Sequence, residues 1–74
     1  MKEITLDGKY LQQTEAGHLY LMQMLDFPEY YGKNMDALYD LLTEIAEPVA
    51  IRIENPDALD IKIRRVFQDA ALNN

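Results

Sequence analysis

The stretch Pro28-Glu29-Tyr30-Tyr31-Gly32-Lys33-Asn34-Met35-Asp36-Ala37-Leu38-Tyr39-Asp40-Leu41-Leu42-Thr43 reads as a short loop running into a helix. Asn34 suits the N-cap, because its side-chain oxygen can accept from a free amide of the first turn. Gly32, two residues earlier, is free to take a positive φ angle. The helical pattern continues to about Ala46, and Glu47-Pro48 ends it, since the residue before a proline avoids the helical region. At about 100° per residue, Met35, Leu38, Leu41, Leu42 and Ile45 fall on one side. Asp36, Asp40, Thr43 and Glu47 fall on the other, flanked by Tyr39 and Glu44. One face is expected in a core and the acidic face in solvent.

Upstream, Thr14 is a plausible N-cap for a helix to about Asp26, which Phe27-Pro28 stops. Its expected buried stripe is Leu21, Met24 and Leu25, with Gly17 and His18 one turn earlier on that side. Glycine in a helix is less favourable than alanine by about 1 kcal/mol, so Gly17 points to close packing. Lys2 to Leu6 alternates, with Ile4 and Leu6 on one side, and closes at Asp7-Gly8, which gives a short strand and a turn. Lys9 to Gln13 is a connection. Downstream, Val49 to Ile53 is a β-branched second strand between Pro48 and Asn55. Asn55-Pro56-Asp57 reads as the start of a last helix. Leu59, Ile63, Val66, Phe67 and Ala70 then follow at helical spacing, ending near Ala71-Leu72, with Asn73-Asn74 as a tail.

The order is strand, helix, helix, strand, helix, an α/β chain with a small two-stranded sheet packed with three helices. Strands joined by so long a helical crossover pair in parallel, with a right-handed connection. A parallel sheet favours cover on both faces, and two strands provide little of it. The 74 residues make one domain, spanning 1–74, with a thin core: a chain this short buries roughly 60% of its unfolded surface. Its 49% hydrophobic content excludes a disordered chain, and the lack of cysteine excludes disulfides and thiolate chemistry. The opening residues carry no apolar signal region and no run approaches membrane-spanning length, so a cytoplasmic location is expected.

The charge is uneven. Asp26, Glu29, Asp36, Asp40, Glu44 and Glu47 are opposed in their segment only by Lys33, so that segment carries −5 of the net −6. A sequence pI near 4.5 argues against nucleic acid and for a basic partner. Asp36 complements a helix dipole, but Asp40 sits mid-helix, four residues on, where a second like charge is mildly unfavourable. A solvated face and a docking face for a cationic partner both fit this pattern. Tyr30 and Tyr31 are either core plugs or recognition groups, and Tyr39 beside the acids looks like an exposed interface anchor. His18, the sole histidine, reads as an ordinary helix residue. The basic group Lys62, Arg64 and Arg65 is explained by local pairs from Asp60 to Arg64 and from Arg65 to Asp69. Carboxylates along one helix stripe do not converge into a metal cage, and an acid–base pair needs a pocket that so small a core leaves little room for. No cofactor motif is present.

Leu25-x-x-Pro28 through Thr43 resembles the barstar family, the intracellular inhibitors of barnase-type ribonucleases. Lys2 to Gly8 is similar to the family's first strand, and Val66-Phe67-Gln68-Asp69-Ala70 to part of its last helix. The resemblance implies a small α/β inhibitor, not an enzyme, whose loop and second helix plug a nuclease's basic active site. The pairing is that of a bacterial antitoxin-like protein with its nuclease. Carried over by position, Asp40 would occupy the phosphate site and Tyr30 would cover the catalytic groups. Asn34, Asp36, Tyr39 and Thr43 would contact the rim, and Asp69 would add an acid from the last helix. Four departures stand out. Tyr39 replaces a tryptophan, Glu44 replaces a glycine, Asp69 is shorter than glutamate, and the third strand is missing. The first three bear on nuclease choice. The last leaves a sheet edge unpaired and raises a homo-oligomer through that edge. The alternative function is a module of the same fold that binds another basic protein without inhibiting a nuclease.

Overall fold

The computed structural model describes residues 2–45 and 47–72. Strand β1 spans Lys2–Asp7 and β2 spans Val49–Glu54. They pair in parallel, with Lys2 opposite Val49, Ile4 opposite Ile51 and Asp7 opposite Glu54. Between them lie helices α1, Glu15–Met24, and α2, Met35–Thr43. Helix α3, Ile61–Leu72, follows β2 and packs against α2. The α/β arrangement is the expected one.

The core sits between one sheet face and the helices. Leu6, Leu11, Leu21, Leu38 and Ile63 are completely enclosed. Burying each such side chain stabilises the fold by about 1.5–3 kcal/mol. The other sheet face, with Glu3, Thr5, Arg52 and Glu54, is exposed. Alternation therefore sorts both strands into a wet and a dry side.

Leu11 belongs to a segment with no periodic signal. A 3-10 turn at Gly8–Tyr10 bends the chain so that Leu11 enters the core. The Leu11 carbonyl accepts from the Asp60 amide, and Gln12 Nε2 donates to the Ala58 carbonyl at 2.7 Å. Tyr20 Oη accepts from the Asp7 amide at 2.9 Å, which ties α1 to the end of β1.

Several element ends differ from expectation. α1 stops at Met24, two residues before Asp26, which takes a left-handed φ of 57°. Met24 is exposed, and the buried face of α1 is Gly17, His18 and Leu21, with Leu25 half-buried. α2 stops at Thr43, so Glu47 lies beyond the helix and shares no helical face with Asp40. Ala46, its expected last residue, lies outside the described residues, as do Asn73 and Asn74. Asn55-Pro56-Asp57 does not open α3. Asn55 is left-handed at φ 52° without a side-chain cap, and Pro56–Ala58 is a separate 3-10 turn. Asp60 opens α3 instead: its Oδ1 accepts from the Lys62 and Ile63 amides. The same carboxylate accepts from Gln13 Nε2, while Arg64 turns away to donate to the Pro56 carbonyl at 2.9 Å.

Gly17 faces the backbone of Gln12, and a Cβ there would collide with the Gln12 carbonyl oxygen. Gly17→Ala is therefore expected to lower stability by roughly 1–3 kcal/mol, the usual range for overpacking, despite alanine's better helix propensity. Urea unfolding followed by circular dichroism measures it. An unchanged or higher midpoint would show that the 12–17 segment relaxes freely.

Candidate functional site

Tyr30 and Tyr31 take opposite roles. Tyr31 is 4% exposed and Tyr30 is 80% exposed. Tyr31 turns inward because its ring packs on Phe27 at 5.0 Å between centroids and its hydroxyl meets His18 Nδ1 at 2.7 Å. His18 is itself 5% exposed, so a buried imidazole and a buried phenol satisfy one another. With Tyr31 inside, alternation sends its neighbour Tyr30 outward. The Tyr31 amide also donates to the Pro28 carbonyl at 3.0 Å, closing the turn that carries both rings.

The loop then enters α2 through a tight backbone step. The left-handed residue is Lys33, at φ 54°, and not Gly32. A lysine in this region carries a steric cost that glycine would avoid. Gly32 serves by having no side chain: a Cβ there would press on Asn34 Nδ2 at 3.2 Å. Asn34 caps α2 as expected, accepting from the Ala37 amide at 2.8 Å and donating to the Gly32 carbonyl at 3.3 Å. Lys33 Nζ reaches Glu15 at 3.9 Å across to α1.

These turns leave an open groove of about 460 Å³ between the tyrosine loop and α2. Tyr31, Ala37 and Leu41 supply its apolar lining, and Tyr30, Asp40, Thr43 and Glu44 its polar lining. Thr43 Oγ1 already donates to the Asp40 carbonyl at 2.9 Å, so its hydroxyl can only accept from a newcomer. Asp40 and Glu44 are exposed carboxylates and accept only. The groove thus offers acceptors and negative charge beside an exposed aromatic ring. Such a lining can satisfy a guanidinium or ammonium group.

The sequence-named residues divide. Tyr30, Asp40 and Thr43 come together in this groove, with Glu44. Asn34 lines a neighbouring groove of about 520 Å³, together with His18, Glu15 and Lys33. Asp36 is exposed in the first turn of α2, outside the lining of the first groove. Tyr39 is half-buried against the core, a correction to its reading as an exposed anchor. Asp69 is exposed on α3 and is not without a partner. His18 is the residue that sequence reasoning passed over. The available signal was its place one turn before Leu21 on the buried stripe, where a polar ring needs a polar partner. Among the described residues, no group of three or more His, Cys, Asp or Glu could hold a metal ion. Among the same described residues, no helix is long and apolar enough to cross a membrane.

The family model for "Barstar (barnase inhibitor)" matches residues 1–72. The chain belongs to the barstar family. Its relatives include a Bacillus subtilis (strain 168) protein named "Putative ribonuclease inhibitor YrdF", 41% identical over 56 residues. That match covers 74% of this chain and 62% of the relative, so the chain spans less than two thirds of the relative's length. This barstar-family chain carries its loop and acceptor-lined groove on an α/β framework, with Glu44 in the groove's lining.

The buried pair contributes to the pH response. Burial holds His18 below its ordinary pKa of 6.5 and pushes Tyr31 up to about 12. The unfolded chain binds the imidazole proton more readily than the folded one. The His18 contribution is thus full above about pH 6.5 and lost as pH falls below it, at no more than about 1.4 kcal/mol per unit. At the alkaline end the unfolded phenol ionises near 10 while Tyr31 stays protonated, so stability falls again above about pH 10. Tyr31→Phe strands a buried ring nitrogen and is expected to destabilise by about 1–3 kcal/mol at pH 7. Denaturant midpoints across pH measure both. His18→Gln with an unchanged acid arm would assign that arm to other groups.

Proposed function

We propose that this chain inhibits a basic barnase-type ribonuclease by inserting Tyr30 and the acidic side of α2 into the nuclease's active site. The observation that supports the reading most is the groove in which Asp40, Thr43 and Glu44 present only acceptors beside exposed Tyr30. A ribonuclease cleft must bind RNA phosphates and is therefore basic, so carboxylates that fit it replace those phosphates. In this reading Asp40 takes the phosphate position and Tyr30 lies over the catalytic groups. Asn34, Asp36, Tyr39 and Thr43 border the contact, with Tyr39 acting as half-buried backing for the helix face. Asp69 contributes from α3. Inhibition would take place inside the cell that makes the nuclease. Chemistry on a substrate plays no part in it.

The relative's name, a ribonuclease inhibitor, and the family to which the chain belongs support the same reading. Opposite net charges speed the encounter, and desolvated pairs slow release.

Inhibition of a barnase-type nuclease by the 74-residue chain is the direct test. Asp40→Ala is expected to weaken inhibition by at least about 30-fold, equivalent to about 2 kcal/mol. That is the threshold for interface hot spots in general, a class in which the barnase–barstar pair is itself a standard case. The association rate should also fall as salt rises. Equal inhibition by Asp40→Ala, or no inhibition of any such nuclease, would remove the proposed mechanism. Capture of a different basic protein would then favour the non-inhibitory binding module.

A further inference from the structure

Lys33 is the one base among residues 26–47, a segment with six acids. It stands in the tyrosine loop, after Tyr30 and Tyr31 and directly before Asn34. Its backbone is left-handed at φ 54°, a conformation that costs a lysine more than a glycine. Gly32 stands next to it and does not take that conformation. An outlier of this kind points to a use for its side chain.

The fold gives that side chain little to do. Its ion pair is with Glu15 on α1, 3.9 Å from Nζ, and the Glu15 side chain is 78% exposed. A pair so exposed contributes little to stability. At that length it is not a hydrogen bond, so the ammonium keeps its donors for a newcomer.

Lys33 also lies at the border of two grooves. Tyr30, Tyr31 and Gly32 line one together with Asp40 and Glu44. Lys33 and Asn34 line the other together with Glu15. A partner that contacts both Tyr30 and Asn34, as the proposed inhibition requires, meets the exposed Lys33 between them. A partner basic throughout its surface would be repelled there. A charge of the opposite sign within a contact surface discriminates against partners that lack its complement.

We propose that Lys33 is a specificity residue, pairing with a carboxylate that the target nuclease carries at the rim of its basic cleft, on the side facing α1. The inference rests on the proposed inhibition and adds a second sign of charge to the contact. Nucleases with a wholly basic rim are bound less tightly.

The test is the rate of binding and release between the 74-residue chain and a barnase-type nuclease that it inhibits, with circular dichroism as the folding control. Lys33→Asn removes one positive charge from a net −6 and supplies a residue that tolerates a left-handed φ. Were Lys33 merely opposed to a basic cleft, this variant would bind faster and more tightly. Release is expected instead to quicken by about fivefold, the upper end for exposed charge pairs. Lys33→Arg, which keeps the charge, should release within about twofold of the natural chain. Glu15→Gln should leave release unchanged or slower, because the ammonium is then free for the nuclease. Unchanged or slower release from Lys33→Asn would overturn the inference and leave the inhibition standing. So would Glu15→Gln that quickens release as much as Lys33→Asn, with no further loss in the double variant, because the pair would then act only within the chain. No inhibition by the natural chain, or equal inhibition by Asp40→Ala, would remove the inhibition reading itself and this inference with it.

Discussion

The hydrogen bond between His18 and Tyr31, 2.7 Å long and shut away from water, is the constraint on which the rest depends. It joins α1 to the loop that precedes α2. In a core this small, a polar group left alone would be a serious defect, so each ring requires the other. Once Tyr31 is held inside, Tyr30 has nowhere to go but solvent. The loop's height over α2 follows, and with it the mouth of the groove. A group placed for packing thereby decides where the exposed ring stands.

The groove is built from helix chemistry as much as from charge. Asn34 starts α2 where it does, which sets the angular positions of Asp40, Thr43 and Glu44. Thr43 bonds back to the Asp40 carbonyl, a habit of threonine within helices, and so has no proton left to donate outward. Two carboxylates and one acceptor hydroxyl then share the groove with the exposed Tyr30 ring. Lys33, strained at positive φ, places its ammonium toward Glu15 on α1. The cation of the loop is thereby directed toward α1 and not toward Asp40.

The sheet has a different logic. Parallel pairing of β1 with β2 sorts side chains into a wet and a dry face, and α3 covers the dry one in part. An apolar groove lies between β2 and α3, lined by Val49, Ile51, Ile53, Phe67 and Ala71.

What the sequence determined by itself was local and periodic. Alternation marked a strand over Lys2 to Leu6 and β-branched residues marked one over Val49 to Ile53, the caps Thr14 and Asn34 were legible one residue at a time, and the spacing of Leu38 and Leu42 gave the buried face of α2. Asp40 was legible as an exposed residue, through the angular spacing of the helix and the concentration of charge. Tertiary structure alone decided the rest. Leu11 became core because a 3-10 turn swung it inward, which no periodicity signals. Asn55 and Pro56 carry helix-start chemistry, yet the chain turns once more and Asp60, bonded to Gln13 from the far end of the sequence, takes the cap. Tyr30 and Tyr31 are identical in type and adjacent, so only a partner thirteen residues away in the chain, His18, could tell them apart. Local rules follow from backbone sterics and short-range hydrogen bonds. Which of two equal side chains is buried depends on a contact that exists only after the chain has folded.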